Sequence, residues 1–235
     1  MSIKNIEKLN LNHIGIIMDG NRRWAKKHLL ASFDGHKKGV ENFKSIARYC
    51  NKMGIKHLTV YAFSTENWKR PKDEVDNIMN ILRDYLKDTE NFKDENIRLQ
   101  FIGERAPLAD DIKELMLKAE DDSKDATGLH LNIALNYGGR DEIVHAVKDI
   151  VKKGVSAEEI TEELISENLY TAGQPDPDFI IRPSGEYRLS NYLIWQSAYA
   201  EYWFTDTLWP DFSEKDINEA VISFASRDRR YGGTK

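Results

Sequence analysis

The chain has 235 residues, 40% of them hydrophobic, 10% aromatic and 31% charged, with Cys50 as its one cysteine. That length supports a single large core, and the composition excludes a disordered, collagen-like or disulfide-stapled chain. With 34 basic against 39 acidic side chains the net charge is −5, which excludes a general nucleic-acid binder. An anionic ligand must be held by local basic clusters.

In chain order, the opening MSIKNIEKLNLNH lacks the apolar stretch of a signal peptide. No later run approaches the ~20 apolar residues that span a bilayer, so the expected location is cytoplasmic. A strand is predicted over His13–Met18, a helix over Val40–Lys52, a strand over His57–Phe63 and a helix over Asp73–Asn91. Strand Ile97–Ile102, helix Ala109–Lys124, strand Leu129–Leu135, helix Asp141–Lys152 and helix Ala157–Asn168 follow. The chain ends with strands Asp178–Ile181 and Tyr202–Thr205 and helix Glu214–Ser226. Runs such as IGIIM and LTVYAF are apolar throughout, as in strands covered on both faces. The alternation predicts one α/β domain over residues 1–235, with a mainly parallel sheet of about six strands surrounded by helices.

Three of these strands break into polar, basic segments at their carboxyl ends, where open α/β sheets hold ligands. The first carries Asp19, Gly20, Asn21, Arg22, Arg23 and Trp24, then Lys26 and Lys27, as the chain enters a helix. Glycine there lets backbone approach a phosphate, amides at the helix start cradle it, and arginines add charge-assisted bonds. The aspartate is placed to hold Mg²⁺ against that phosphate. The plain alternative is an Asp-Gly turn and a solvated basic face. The second segment carries Ser64, Thr65, Glu66, Asn67, Trp68 and Arg70, either an active-site rim or a capping box. The third carries Arg182, Ser184, Gly185, Arg188 and Ser190, either a second oxyanion site or salt bridges to Glu186 and Glu201. Three such tips in one chain favour a ligand cleft.

His36, in GHKKG, is either a phosphate-binding imidazole or a structural hydrogen-bonder. The NYGGRDE segment, with Asn136, Gly138, Gly139 and Arg140, fits close packing as well as it fits binding. No GxxxxGK[ST] sequence is present, which removes the phosphate-loop nucleotide hydrolases.

Taken together, HIGIIMDGNRRWAK, GHKKG, YAFSTENWKRP, LNIALNYGGRDEI, IRPSGEYRLSNYLIWQSAYAEYWFTDTLWPDF and RDRRYGG resemble the cis-prenyltransferase family, most of all its bacterial undecaprenyl diphosphate synthases. The resemblance implies a homodimer whose sheet and helices enclose an apolar tunnel. It also implies Mg²⁺-dependent condensation of isopentenyl diphosphate with an allylic diphosphate such as farnesyl diphosphate. The product would be a cis-polyprenyl diphosphate, either the C55 carrier-lipid precursor or a short to medium chain, with peripheral membrane contact for its release; the rival is a non-catalytic isoprenoid-binding relative. By this likeness Asp19 handles the diphosphate and the metal, and Glu201 assists the metal. Gly20, Asn21, Arg22, Arg23, Trp24 and His36 belong to the allylic side, and Arg182, Arg188 and Ser190 to the isopentenyl side. Ser64, Glu66, Asn67, Trp68 and Arg70 line the reaction centre, with Asn67 catalytic. The same likeness assigns a tunnel to the Val75, Ile78, Met79, Leu82 and Leu86 stripe, with Phe63, Leu129 and Ile133 as walls.

Four positions depart from the family pattern: Arg22 for a common Gly, Ser32 for an arginine that helps the allylic diphosphate, Pro183 for Thr or Gly, and Tyr187 for His or Gln. Either Arg22, Lys26 or Lys27 compensates for Ser32, or affinity for the allylic substrate is weaker. The acidic run Asp110-Asp111-Ile-Lys-Glu114 looks like the aspartate-rich site of the helical trans-prenyltransferases. It stands near a helix start in a strand–helix chain, where carboxylates complement the dipole, so it reads as structural.

Overall fold

A computed structural model of the chain describes residues 9–87 and 94–228. The strands are β1 His13–Ile17, β2 His57–Ser64, β3 Ile97–Ile102, β4 Leu129–Tyr137, β5 Phe179–Arg182 and β6 Glu201–Phe204. They form one parallel sheet in the order β3-β4-β2-β1-β5-β6. The helices are α1 Asn21–Lys27, α2 Ser32–Met53, α3 Lys72–Lys87, α4 Asp110–Ser123, α5 Gly139–Lys152, α6 Glu162–Ser166 and α7 Glu214–Ala225. The α/β expectation therefore holds. The predicted helix beyond Lys87 and the Arg229–Gly233 part of the terminal motif lie outside the described residues.

Two helices differ from expectation. α2 starts at Ser32 rather than Val40, because its first turns bury glycines and carry no apolar stripe. A Cβ on Gly35 would stand 2.2 Å from the Asn21 carbonyl oxygen and 3.0 Å from Ala25 Cβ. Close crossing with α1 thus outweighs the poor helix propensity of glycine. The helix expected over 157–168 is instead a 3₁₀ turn at Ala157–Glu159 followed by α6. Thr161 separates them by capping α6, its Oγ1 accepting the Leu164 N–H at 3.2 Å.

Alternation along the strands gives the sheet two unlike faces. Ile14, Ile16, Leu58, Val60, Leu131, Ile133, Phe179 and Ile181 enter a dry core with α2, α3, α4 and α7. The opposite face carries His13, Thr59, Asn132 and Arg182, all buried, beside Ile17, Tyr61, Ile180 and Tyr192.

From β1 the chain crosses to β2 on one side and returns later to β5 on the other. The strand order therefore reverses between β1 and β5, and the carboxyl ends of those strands border a crevice.

Candidate active site

Register places the tips of β1 and β5 side by side, since Ile16 pairs with Ile181. Asp19 and Arg182 lie just past this pair. Arg182 Nη2 donates to Asp19 Oδ2 at 2.9 Å, and Arg23 Nη2 lies 3.2 Å from Asp19 Oδ1. Burial alone would push the Asp19 carboxyl up. The Arg182 hydrogen bond and the charges of Arg182 and Arg23 outweigh it and hold that carboxyl below its ordinary range. Gly20 makes the turn into α1 with φ 112, and a Cβ there would meet Leu208 at 3.1 Å.

Arg182 is 3% exposed, and its Nη1 also donates to Ser190 Oγ at 2.8 Å and to the Arg188 carbonyl. Arg23 reaches the same loop, donating to the Ser184 carbonyl at 2.9 Å and Oγ at 2.7 Å. Ser184, Ser190, Asn191 and Leu193 all take positive φ. Such backbone costs about 1–3 kcal/mol per residue and persists where the surroundings over-determine it, typically around functional sites. Arg188 is 60% exposed and paired with Glu186, so its guanidinium remains open to the cleft.

At the β2 tip, Asn67 Oδ1 accepts the Ser64 N–H at 3.1 Å, the capping arrangement the sequence allowed. Ser64, Glu66, Asn67 and Arg70 still line the cleft, of ≈ 590 Å³, with Asp19, Arg182, Arg188 and Ser190. Asn191 donates to Glu66 Oε1 at 2.9 Å and ties this tip to the β5 loop. Glu74, at the start of α3, gathers Arg70 at 3.0 Å, Arg22 at 3.6 Å and His36 at 3.8 Å. Burial, then the charge of Arg70, lowers the His36 pKa to about 4 against the opposing pull of Glu74, so the imidazole is neutral. Sequence reasoning missed Glu74 and Asn191. The Arg70–Glu74 spacing of one helical turn was the available signal for the first, and nothing local marked the second.

Beside this cleft a second hollow of ≈ 650 Å³ is lined by Asp19, Gly20, Asn21, Arg22, Arg23, Lys26, Ser32 and His36. Asn21 Oδ1, Ser32 Oγ, His36 Nε2 and Arg182 Nε are buried without a hydrogen-bond partner among the described residues. Orphaned polar atoms converging on one cleft call for a polar ligand.

An apolar cavity of ≈ 100 Å³ opens from the same place, sharing Met18, Asn21, His36, Tyr61, Ala62, Phe63 and Ile78 with the cleft. It descends between α2 and α3 past Val40, Ile81, Leu82 and Ile133. Phe43 and Tyr85 lie two helical turns below His36 and Ile78, and their rings meet at 5.5 Å, closing the bore. Phe63 and Ile133 line it. Val75, Met79, Leu86 and Leu129 are core residues outside its lining.

Three expected site residues are not brought to the cleft. Glu201 opens β6 in register with Phe179, on the face opposite the Arg182 side chain, and pairs with Arg227 at 2.7 Å. Within this chain it is not among the residues lining the cleft beside Asp19. Trp24 turns to Asp211, its Nε1 donating at 2.6 Å, and stacks on His28. Trp68 packs edge-on against Phe63 and donates to Asn136 Oδ1 at 2.7 Å. Gly138 and Gly139 serve packing, where added Cβ atoms would meet Asn191, Asp141 and Ile194 within 3.0 Å.

The family model described as "Putative undecaprenyl diphosphate synthase" matches residues 17–232. An isoprenyl transferase of Clostridium perfringens is 48% identical, covering 98% of this chain and 93% of the relative. A solved lavandulyl diphosphate synthase from Lavandula x intermedia, in complex with dimethylallyl diphosphate, superposes with TM-score 0.92 at 36% identity, covering 96% and 100% of the two chains. A probable undecaprenyl diphosphate synthase from Campylobacter jejuni superposes with TM-score 0.81 at 35% identity, covering 95% and 99%.

Proposed function

Because this chain belongs to the undecaprenyl diphosphate synthase family of prenyltransferases, we propose that it condenses isopentenyl diphosphate with an allylic diphosphate to give a cis-prenyl diphosphate. One observation carries this reading: the arginine-lined cleft and the apolar bore share the same mouth. A substrate with an anionic head and a hydrocarbon tail is the molecule such a junction suits.

The hollow beside Asp19 takes the allylic diphosphate, with Gly20, Asn21, Arg22, Arg23, Lys26, Ser32 and His36 around it. Ser32 Oγ and His36 Nε2 are buried there without a partner, and Lys26 lines the same hollow. Arg182, Arg188 and Ser190 hold the isopentenyl diphosphate across the cleft. Breaking the allylic C–O bond builds charge on the leaving diphosphate, which preorganised arginines stabilise. Fixing both heads brings the attacking double bond to the allylic carbon. A proton then leaves the added unit. Asp19, held ionised by two arginines, is a weak base, which favours the departing diphosphate as acceptor over Asp19.

Mg²⁺ takes one or two carboxylates and fills its shell with substrate oxygens. A lone ionised Asp19 beside a diphosphate cradle fits that habit, and no cluster of three or more His, Cys, Asp or Glu side chains able to hold a metal occurs among the described residues. Bound there, the ion would offset charge on the leaving group. A homodimeric, cytoplasmic enzyme serving cell-wall carrier lipid completes the proposal. No helix of the described residues is long and apolar enough to cross a membrane.

A second reading concerns product length. The Phe43–Tyr85 closure favours a product shorter than C55 over the full carrier-lipid length. Incubating the purified chain with labelled isopentenyl diphosphate, several allylic primers and Mg²⁺, then sizing the products, tests both readings. No elongation with any primer would refute the function.

A further inference from the structure

Three segments meet at one rim of the cleft: the turn Thr65–Lys69 after β2, the start of α5 after β4, and the loop after β5. α5 begins without a cap of its own, because Gly138 stands where a capping side chain belongs. Asn191 serves instead. Its carbonyl accepts the Gly139 N–H at 2.7 Å and its Oδ1 the Arg140 N–H at 2.9 Å, two of the amides a helix leaves open in its first turn. Its remaining polar atom, Nδ2, donates to Glu66 Oε1 at 2.9 Å. Thr65 Oγ1 adds the last link by donating to Asp141 Oδ2 at 3.0 Å. Turn, helix and loop thus form a triangle, and Asn191 supplies two of its sides.

Gly138 sits at the centre of the triangle. An added Cβ there would meet Asn191 Nδ2 at 2.7 Å, Asp141 Oδ2 at 2.7 Å and Thr65 Oγ1 at 2.8 Å, so the segments close on a space that only glycine leaves. Tyr61 OH donates to the Tyr137 carbonyl at 3.1 Å and to the Ser190 carbonyl at 3.4 Å, bracing the same helix start and the same loop a second time. Ser190 and Asn191 take φ 52 and 65, a region asparagine tolerates better than serine. The bonds of Asn191 therefore help to hold its neighbour in the conformation that lets Ser190 Oγ accept from Arg182 Nη1 at 2.8 Å. Burial would push the Glu66 carboxyl up. Hydrogen bonds from its own N–H and from Asn191, Ser64 and Thr65 outweigh burial and hold that carboxyl below its ordinary range.

We propose that Asn191 is a positioning residue for prenyl transfer, fixing the isopentenyl side of the cleft against the reaction-centre turn. Ser190, its chain neighbour, lies on the isopentenyl side, and Glu66, its hydrogen-bond partner, lines the cleft beside Ser64 and Asn67. Both are tied to one helix end, so the spacing between them is set through the Asn191 amide rather than by two independent loops. Asn191 spends that amide on protein groups and acts through them. The inference rests on the proposed reaction and names what keeps its two halves in register, the geometry on which orientation effects depend.

The test is steady-state kinetics of the full chain with Mg²⁺, isopentenyl diphosphate and farnesyl diphosphate, run beside urea unfolding. Asn191→Gly permits the positive φ and removes both side-chain bonds. Its kcat should fall about tenfold and its KM for isopentenyl diphosphate rise about tenfold, with KM for farnesyl diphosphate within about twofold of the parent. Loss of folded protein alone would lower kcat and leave both KM values in place. Asn191→Asp decides the matter if the glycine variant is too unstable to assay. It keeps the acceptor for Arg140, and so the helix cap, but loses the donor to Glu66. Its unfolding midpoint should stay near that of the parent while its kinetics follow the glycine variant. Glu66→Ala should share the loss, and the Asn191→Gly/Glu66→Ala double variant should lose no more than the worse single one. Parental kinetics in Asn191→Asp, an equal rise in both KM values, or additive losses in the double variant would overturn the proposal. A parent chain that makes no product refutes the reaction and this inference with it; an active parent with undiminished variants refutes the inference alone.

Discussion

Ile14, Ile16, Leu58, Val60, Leu131 and Ile133 form one side of the sheet and are sealed under helices. One residue along the same strands, the other side places His57, His13 and His130 in adjacent registers, with Thr59 and Asn132 above them. His13 Nε2 meets Thr59 Oγ1 at 2.8 Å, Asn132 Nδ2 donates to Gln174 Oε1 at 2.7 Å, and His130 Nε2 meets Gln100 Oε1 at 2.9 Å. Farther along, the buried Glu142 accepts from Tyr137 OH, from Gln196 Nε2 at 3.0 Å and from the Tyr170 N–H at 2.9 Å. The dry side can leave a cavity open, because apolar walls demand no partner. The polar side cannot, because each group there must be bonded. The bore therefore lies on the first side, and charged heads gather at the strand tips, where Arg182 reaches over from the second.

Breaking the junction should have the largest effect. Arg182→Ala removes the donor to Asp19 and should lower kcat/KM about 1000-fold; steady-state kinetics near parent values would remove Arg182 from the diphosphate site. Widening the dry side comes next. Tyr85→Ala should cost about 3 kcal/mol in urea unfolding and lengthen the products. An unchanged product ladder would place the floor of the bore elsewhere.

On the polar side, Glu142→Ala strands three buried donors and should cost about 2–3 kcal/mol, again read by urea unfolding. A loss below about 0.5 kcal/mol would mean that water replaces the carboxylate. Burial raises the Glu142 pKa against these hydrogen bonds and the charge of His145.

The histidines make the same side acid-sensitive. Burial lowers the pKa of His13 from 6.5 to about 4, partly offset by its bond to the Pro175 carbonyl and by Asp178, and lowers His130 likewise to about 4, helped by the charges of His57 and Arg98. Burial lowers His57 too, against its Gln174 bond. At His13 and His130 the unfolded chain takes up its protons near pH 6.5 and the folded one near pH 4, so stability is complete above the upper value and falls through that window. Unfolding free energy that is flat from pH 7 to about 4.5 would contradict a neutral, sealed histidine row. The smallest change expected is at Ser32: an arginine there (Ser32→Arg) should lower KM for the allylic substrate a few-fold, about 1 kcal/mol, unless Lys26 already supplies that charge.

Much of this architecture was legible before any coordinates. β3 falls on the predicted Ile97–Ile102, and the other strands within two residues, because buried parallel strands are continuous apolar runs. The segments at the β1, β2 and β5 tips do share one cleft, and the acidic run at Asp110 is the first turn of α4, as expected. The early start of α2 was hidden because glycine packing, not periodicity, shapes its first turns. That Trp24, Trp68 and Glu201 point elsewhere than into the cleft was hidden because a linear motif says which residues are near in the chain but not which way each side chain turns.

The order of residues alone determines the strands, their polar tips and the basic character of the first helix, since these follow from local polarity and spacing. Only tertiary structure decides that β1 and β5 are neighbours, that Arg182 meets Asp19, and that Phe43 and Tyr85 close the bore. Those pairings join residues far apart in the chain, and they form only when burial of the apolar strand faces sets the order of the sheet.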